Sequence, residues 1–175
     1  MDWFLDSTGF ALATGMRAGE IFDLHWNQVD LALRIAWLHP DQCKNGEARG
    51  VPLNEDAVAI IRRQIGKHDE LVFTRNRKQI KSEDHNQFKR ACRAAGIENF
   101  RFHDLRHTWA SWHVQGGTPI YVLKELGGWK TLEMVQKYAH LAPEHLAPHA
   151  NVVTFWSQCN AVNEVGKKKA GKPTF

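Results

Sequence analysis

The chain has 175 residues, 43% of them hydrophobic and seven of them tryptophan, enough for one domain with its own core. It holds no apolar run near the roughly 18 residues of a membrane span, and its start carries Asp2 and Asp6 without a basic, signal-like stretch, so membrane-spanning and exported classes are not expected. The net charge of +4 is clustered: residues 75–106 hold nine Lys or Arg against four Asp or Glu, and the last ten residues add four lysines and no acid. Such clustering suits a polyanion such as nucleic acid; a solvated basic face with a loose tail is the alternative.

In chain order, the apolar spacing of "WFLDSTGFALA" predicts a helix over 3–13, stopped by Thr14-Gly15 and followed by a second helix from about Ala18 to Trp26. Two β-leaning runs, 35–39 and 48–53, flank Asn45-Gly46, a hairpin signal because both residues tolerate positive φ. Lys44 would then stand at the hairpin tip. Asn54 caps a helix over 54–66, and "LVFT", 71–74, reads as a third strand. From about Ser82 the pattern is helical, with helices expected over 84–95, 104–115, 119–126, 131–139 and near 150–162, punctuated by Gly96, Gly116-Gly117 and Gly127-Gly128. The expected class is α+β, mostly helical, with a small three-stranded antiparallel sheet near the N-terminus. Cys43, Cys92 and Cys159 are an odd, widely spaced set that reads as free thiols in a reducing compartment.

The stretch "FHDLRHTW", 102–109, carries two histidines four apart, as a zinc site would. The residue after His103 is Asp104, however, where a zinc protease needs the longer Glu. His113 lies about 240° around the helix from His107. No metal is therefore expected. A phosphate suits the stretch better. On a wheel of ~100° per residue, His103, Arg106 and His107 share an arc of about 100°, opposite an apolar face of Leu105, Trp109 and Trp112. Asp104 could cap the helix, leaving His103 at its positive end, and Arg106 offers a fork for two phosphate oxygens. Taken alone, these eight residues fit a capped surface helix with solvated cations somewhat better still.

The neighbouring motifs decide the matter. "ATGMRAGEIFDLHW" holds Arg17 after Thr14-Gly15, with Glu20 three residues on, where it can bond the backbone or steady an arginine. "CKNGEARGVPL" holds Lys44, and "LGGWKTLEMVQKYAHL" sets Trp129 nine residues before Tyr138. With "HDLRHT" between them, these blocks run in order across roughly residues 10–142. In this order they resemble the tyrosine recombinase (phage integrase) family, whose signature is "TG-x-R-x-x-E", a hairpin lysine before "VPL", "H-x-L-R-H-T", and "L-G-x-(H/W)" with a tyrosine nine residues later.

That resemblance implies the family's catalytic fold and a site-specific DNA recombinase. Tyr138 would attack the scissile phosphate, form a 3′-phosphotyrosyl bond and release a 5′-hydroxyl, so that rejoining needs neither ATP nor a cofactor. Arg17 and Arg106 would clamp the phosphate, His103 would give acid/base help, and Lys44 would protonate the departing oxygen. Trp129 stands where many relatives have histidine and would donate its indole N–H. Glu20 and His107 are expected to support the site. The rival readings are a type IB topoisomerase-like relaxing enzyme and a DNA-binding relative without catalysis.

The family also implies double-stranded DNA attachment sites as partners. It implies a homotetramer on DNA in the full-length protein, with the fragment monomeric alone, and a DNA-bending accessory protein. The expected location is the bacterial cytoplasm, at the nucleoid when on DNA. Residues 1–165 are expected to form the catalytic domain, without the family's core-binding and arm-binding domains, and 166–175 a disordered basic tail. "NVVTFW", 151–156, would dock in cis or on a neighbouring subunit.

Overall fold

The computed structural model describes residues 2–43, 46–81 and 85–141. Helix α1, Asp2–Thr14, buries Phe10 and Ala11 completely and packs against two later helices, α3 (Glu55–Arg62) and α5 (Asp104–Gln115). A polar clasp locks the α1–α3 pair. Arg63 donates to Asp6 Oδ1 from Nε (3.1 Å) and Nη2 (2.8 Å), and Gln64 Nε2 donates to Oδ2 at 2.6 Å. Both oxygens of the buried Asp6 carboxylate are thus satisfied, as a buried charge requires. Asn54 caps α3 as its sequence suggests, its Oδ1 accepting from Ala57 N at 2.9 Å, a bond that stabilises a helix start by about 1 kcal/mol.

Helix α2 is shorter than expected, Ala18–Phe22, because the chain straightens at Leu24 and His25 bridges to Leu71. A 3₁₀ turn follows at Trp26–Gln28. The three-stranded antiparallel sheet has the order β1 (Val29–Asp30), β2 (Ile35–Leu38), β3 (Arg49–Pro52), with Ala36 opposite both Val29 and Val51. Its third strand is therefore Val29–Asp30, and the expected strand at 71–74 is only a bridge plus the start of a separate ribbon, β4 (Thr74–Arg75) with β5 (Lys78–Gln79). Leu71, Val72 and Phe73 are a consecutive apolar run because all three are buried, which alternation along a one-sided sheet strand would not give. The β2–β3 connection is also longer than a tight hairpin: Leu38 pairs with Arg49, and Lys44 and Asn45 lie outside the described residues.

The second half is helical: α4 (His85–Ala94), α5, α6 (Ile120–Gly127) and α7 (Glu133–Gln136), then a 3₁₀ turn at Ala139–Leu141. Helix α5 lies against α1 on one side and α6 on another, burying Leu105, Trp109, Ala110 and Val114. Trp112, placed on that apolar face by the helical wheel, is instead 55% exposed. The expected helix near 150–162, "NVVTFW" and the 166–175 tail lie outside the described residues. Among those that are described, no helix is long and apolar enough to cross a membrane.

Candidate active site

The turn after α1 is built for proximity. Thr14 Oγ1 donates back to Phe10 O and accepts from Met16 N, closing the helix. Gly15 then takes φ +64°, and a Cβ there would collide with the Trp109 ring, so the position needs glycine twice over. The turn points the Gly15 carbonyl at α5, where Arg106 Nη1 donates to it at 2.5 Å. Arg106 Nη2 donates to Gly127 O at 2.6 Å, at the end of α6. The wheel puts Arg106 on an outward cationic face, yet it is 3% exposed, because the α1–α2 turn and the end of α6 fold over it. Burial, with Arg17 adding to it, pushes its pKa down to about 9, which leaves it charged at neutral pH. Two of its five N–H groups are taken by carbonyls, and the guanidinium is thereby fixed in place.

Arg17 is the N-cap of α2. Glu20 accepts from its backbone N–H at 2.8 Å and from its Nη1 at 2.6 Å, so the carboxylate both closes the helix start and steadies the arginine. Glu20 is buried and also accepts from Arg49 Nη2 at 2.8 Å. Arg49, which the sequence motifs do not single out, further donates from Nη1 to Leu126 O at 3.1 Å, tying β3 to α6. A signal for it exists: Arg49, Val51 and Leu53 share one face of the strand, and the last two are core residues. Gly128, at φ +63°, lies so close that a Cβ would meet the Arg49 side chain.

These elements converge on a cleft of about 360 Å³ lined by Arg17, His103, Arg106, Gly128, Trp129, Lys130 and Met134. Four of the six expected catalytic residues, Arg17, His103, Arg106 and Trp129, thus meet around one space. Trp129 stacks on Trp109 (ring centroids 6.1 Å) and lies 4.1 Å from the Arg106 guanidinium carbon, a cation–π contact. His103 is the N-cap of α5 in place of Asp104, whose carboxylate instead accepts from Arg101 N at 2.8 Å and pairs with its side chain. Burial, then Arg106, holds the His103 imidazole below its ordinary value, hence neutral at pH 7.

Tyr138 stands at the edge of this group, 5% exposed, with its ring 6.2 Å from that of Trp129. Its hydroxyl is hydrogen-bonded to His107 Nδ1, one helical turn beyond His103. Lys44 lies outside the described residues, but its neighbour Cys43 is buried beside Glu20 and Arg49, whose charges act on the thiol. Lys130 and Met134 also line the cleft, and no sequence motif marks them; their only signal is position on the segment between Trp129 and Tyr138. Among the described residues, no three His, Cys, Asp or Glu side chains gather as metal ligands would.

The profile of the phage integrase family matches residues 5–145. The integrase of Salmonella phage P22 is 46% identical over 157 residues, covering 82% of this chain and 41% of that protein. The solved structure of the catalytic domain of bacteriophage HP1 integrase is similar at TM-score 0.61 and 28% identity, covering 85% of this chain and 84% of that one. The fold is shared as well with the Tn1549 transposon integrase solved with transposon right end DNA, at TM-score 0.68 and 17% identity, over 94% of this chain and 59% of that one. The chain spans less than half the length of the curated relatives it matches.

Proposed function

Since the chain belongs to the phage integrase family, we propose that it is the strand-transfer domain of a site-specific DNA recombinase, with Tyr138 as the nucleophile. The observation that carries this reading is the convergence of Arg17, His103, Arg106 and Trp129 on one cleft with Tyr138 at its edge. A phosphodiester in that cleft would meet two guanidiniums held by other groups, Arg17 by Glu20 and Arg106 by two carbonyls. Donors fixed in advance of the reaction stabilise the charge that gathers on the non-bridging oxygens without reorganising, usually the largest catalytic contribution. Trp129 would add its indole N–H, and neutral His103 would exchange protons with the phosphate or the bridging oxygens. Lys44 would protonate the departing 5′-oxygen, and Glu20, through Arg17 and Arg49, would keep the site's floor rigid.

The covalent phosphotyrosine stores the bond energy, so strand rejoining would proceed without ATP. The partners would be double-stranded attachment sites, brought together by a tetramer of the full-length protein in the bacterial cytoplasm, with an accessory protein bending the DNA. Incubation of the chain in EDTA with a pool of nicked suicide duplexes carrying candidate attachment sequences tests the reading. An adduct stable to SDS, lost in Tyr138→Phe, is expected. Cleavage that appears only on restoring metal would refute it.

A further inference from the structure

The phenolic proton of Tyr138 needs an acceptor, a task the sequence motif would give to His103, yet the hydroxyl is hydrogen-bonded to a different histidine. Burial raises the phenol's pKa above its ordinary value, more than Arg106 pulls it back, so at neutral pH the hydroxyl keeps its proton until attack. Among the described groups around the ring, Arg106 has no acceptor atom, and Lys137 Nζ lies over the ring face, 5.1 Å from its centroid. Trp129 is a donor only. His103 packs edge-on against His107, with centroids 5.2 Å apart, and the tyrosine hydroxyl goes to the second of these histidines. His107 sits on α5, a rigid helix buried along its other side, and Tyr138 is itself buried, so the bond is formed between two constrained groups.

Resting on the strand-transfer reading above, we propose that His107 is the general base of the cleavage step: its Nδ1 takes the proton of Tyr138 as the phenolic oxygen bonds to phosphorus. The bond from phosphorus to the 5′-oxygen breaks in the same step, and that oxygen takes its proton from a separate acid. The imidazolium left on His107 returns the proton to Tyr138 when a 5′-hydroxyl attacks the phosphotyrosine and the phenolate departs, so no proton is gained or lost over a cycle. Burial, with Lys137 and His103, keeps His107 neutral ahead of the reaction and so able to accept. His103, which faces the cleft, is then free to serve the phosphate and the 5′-oxygen rather than the nucleophile.

The chain has two tyrosines, and Tyr121 is 67% exposed on α6, so Tyr121→Phe allows 3,5-difluorotyrosine to be incorporated at position 138 alone. Fluorination makes the phenol more acidic and lessens its need for a base. Single-turnover adduct formation on the nicked duplex pool is measured for the parent chain, His107→Ala and His107→Asn, the last placing an amide atom where Nδ1 sits. A general base contributes on the order of 10²–10⁴-fold, and both variants are expected to lose a hundredfold or more. Difluorotyrosine is expected to restore at least tenfold of that loss in His107→Asn while changing the parent little. A His107→Asn chain that cleaves at the parent rate, or a loss that fluorination leaves untouched, would show a purely positional contact and overturn the assignment. No adduct from the parent chain would remove the strand-transfer reading, and this step with it.

Discussion

Arg106, in the first turn of α5, donates a hydrogen bond to the carbonyl of Gly15, ninety-one residues earlier in the chain. The bond joins the two halves of the fold at the cleft. It depends on a turn that only glycine supplies, since Gly15 combines φ +64° with contact to the Trp109 ring. Gly15→Ala is therefore expected to destabilise the domain by about 2–4 kcal/mol, from a left-handed backbone and an overpacked ring together. Urea unfolding checks the figure. A midpoint equal to that of the parent chain would mean that the turn is not fixed as described.

Glu20 is expected to be a sensitive acid. Its buried carboxylate accepts from Arg17 twice and from Arg49 once, and Glu20→Gln turns one acceptor oxygen into a donor facing a guanidinium. Breaking a buried ion pair from one side costs about 3–5 kcal/mol, because the remaining charge keeps its desolvation penalty. The same substitution should slow adduct formation, as Arg17 loses the group that aims it. If denaturant unfolding gives less than about 1 kcal/mol, the pair is better solvated than its burial implies.

Much of this site is legible in the sequence, and the reason is physical. A site for an anion needs particular side chains at the ends of particular elements, and the short blocks around Arg17, His103 and Trp129 carry residues that the fold brings to one cleft. Arg106 shows the limit. Its residue type and motif are readable, while its burial is not, because its carbonyl partners come from Gly15 and Gly127, segments that a helical wheel of α5 does not contain. Arg49 and the Tyr138–His107 bond are likewise long-range, formed only when β3 and the segment after α7 reach their places. Apolar patterning misplaces the third strand for a related reason: 71–73 is apolar because it is buried in the core, whereas Val29–Asp30 joins the sheet through its pairing with β2 and carries no alternating pattern of its own.

Stability is expected to fall in two stages on acidification. His103, His107 and His113 are all held below the ordinary imidazole value of 6.5, first of all by burial. An unfolded chain then binds protons that the folded chain refuses, so their contribution is complete above pH 6.5 and is lost as the pH falls from there toward the folded values. Burial alone would raise Asp6, but Arg63 and Gln64 outweigh it, and Arg101 lowers Asp104; these contributions are lost in turn as the pH drops below 3.8. Urea midpoints on either side of pH 6.5 test the first stage. His113, which is hydrogen-bonded to Thr118 Oγ1 at 3.0 Å, should account for a share of it, so His113→Gln is expected to flatten the dependence. Identical slopes in parent and variant would rule that share out.

Trp129 separates packing from chemistry. Its ring touches both the Trp109 ring and the Arg106 guanidinium, while its N–H is the only polar group it could offer a phosphate. Trp129→Phe keeps an aromatic face and removes the donor, so unfolding should change by roughly 1–2 kcal/mol, the scale of a partly lost ring contact. Adduct formation should slow further, by roughly 10–100-fold, because a hydrogen bond to a charged group is worth about 1.5–3 kcal/mol. Trp129→His would restore a donor with less ring area, and is expected to recover part of the rate while losing more stability than phenylalanine does. That crossing of the two measurements is the signature of a donor role. Should rate and stability instead fall together across both variants, Trp129 acts only by holding Arg106 in place.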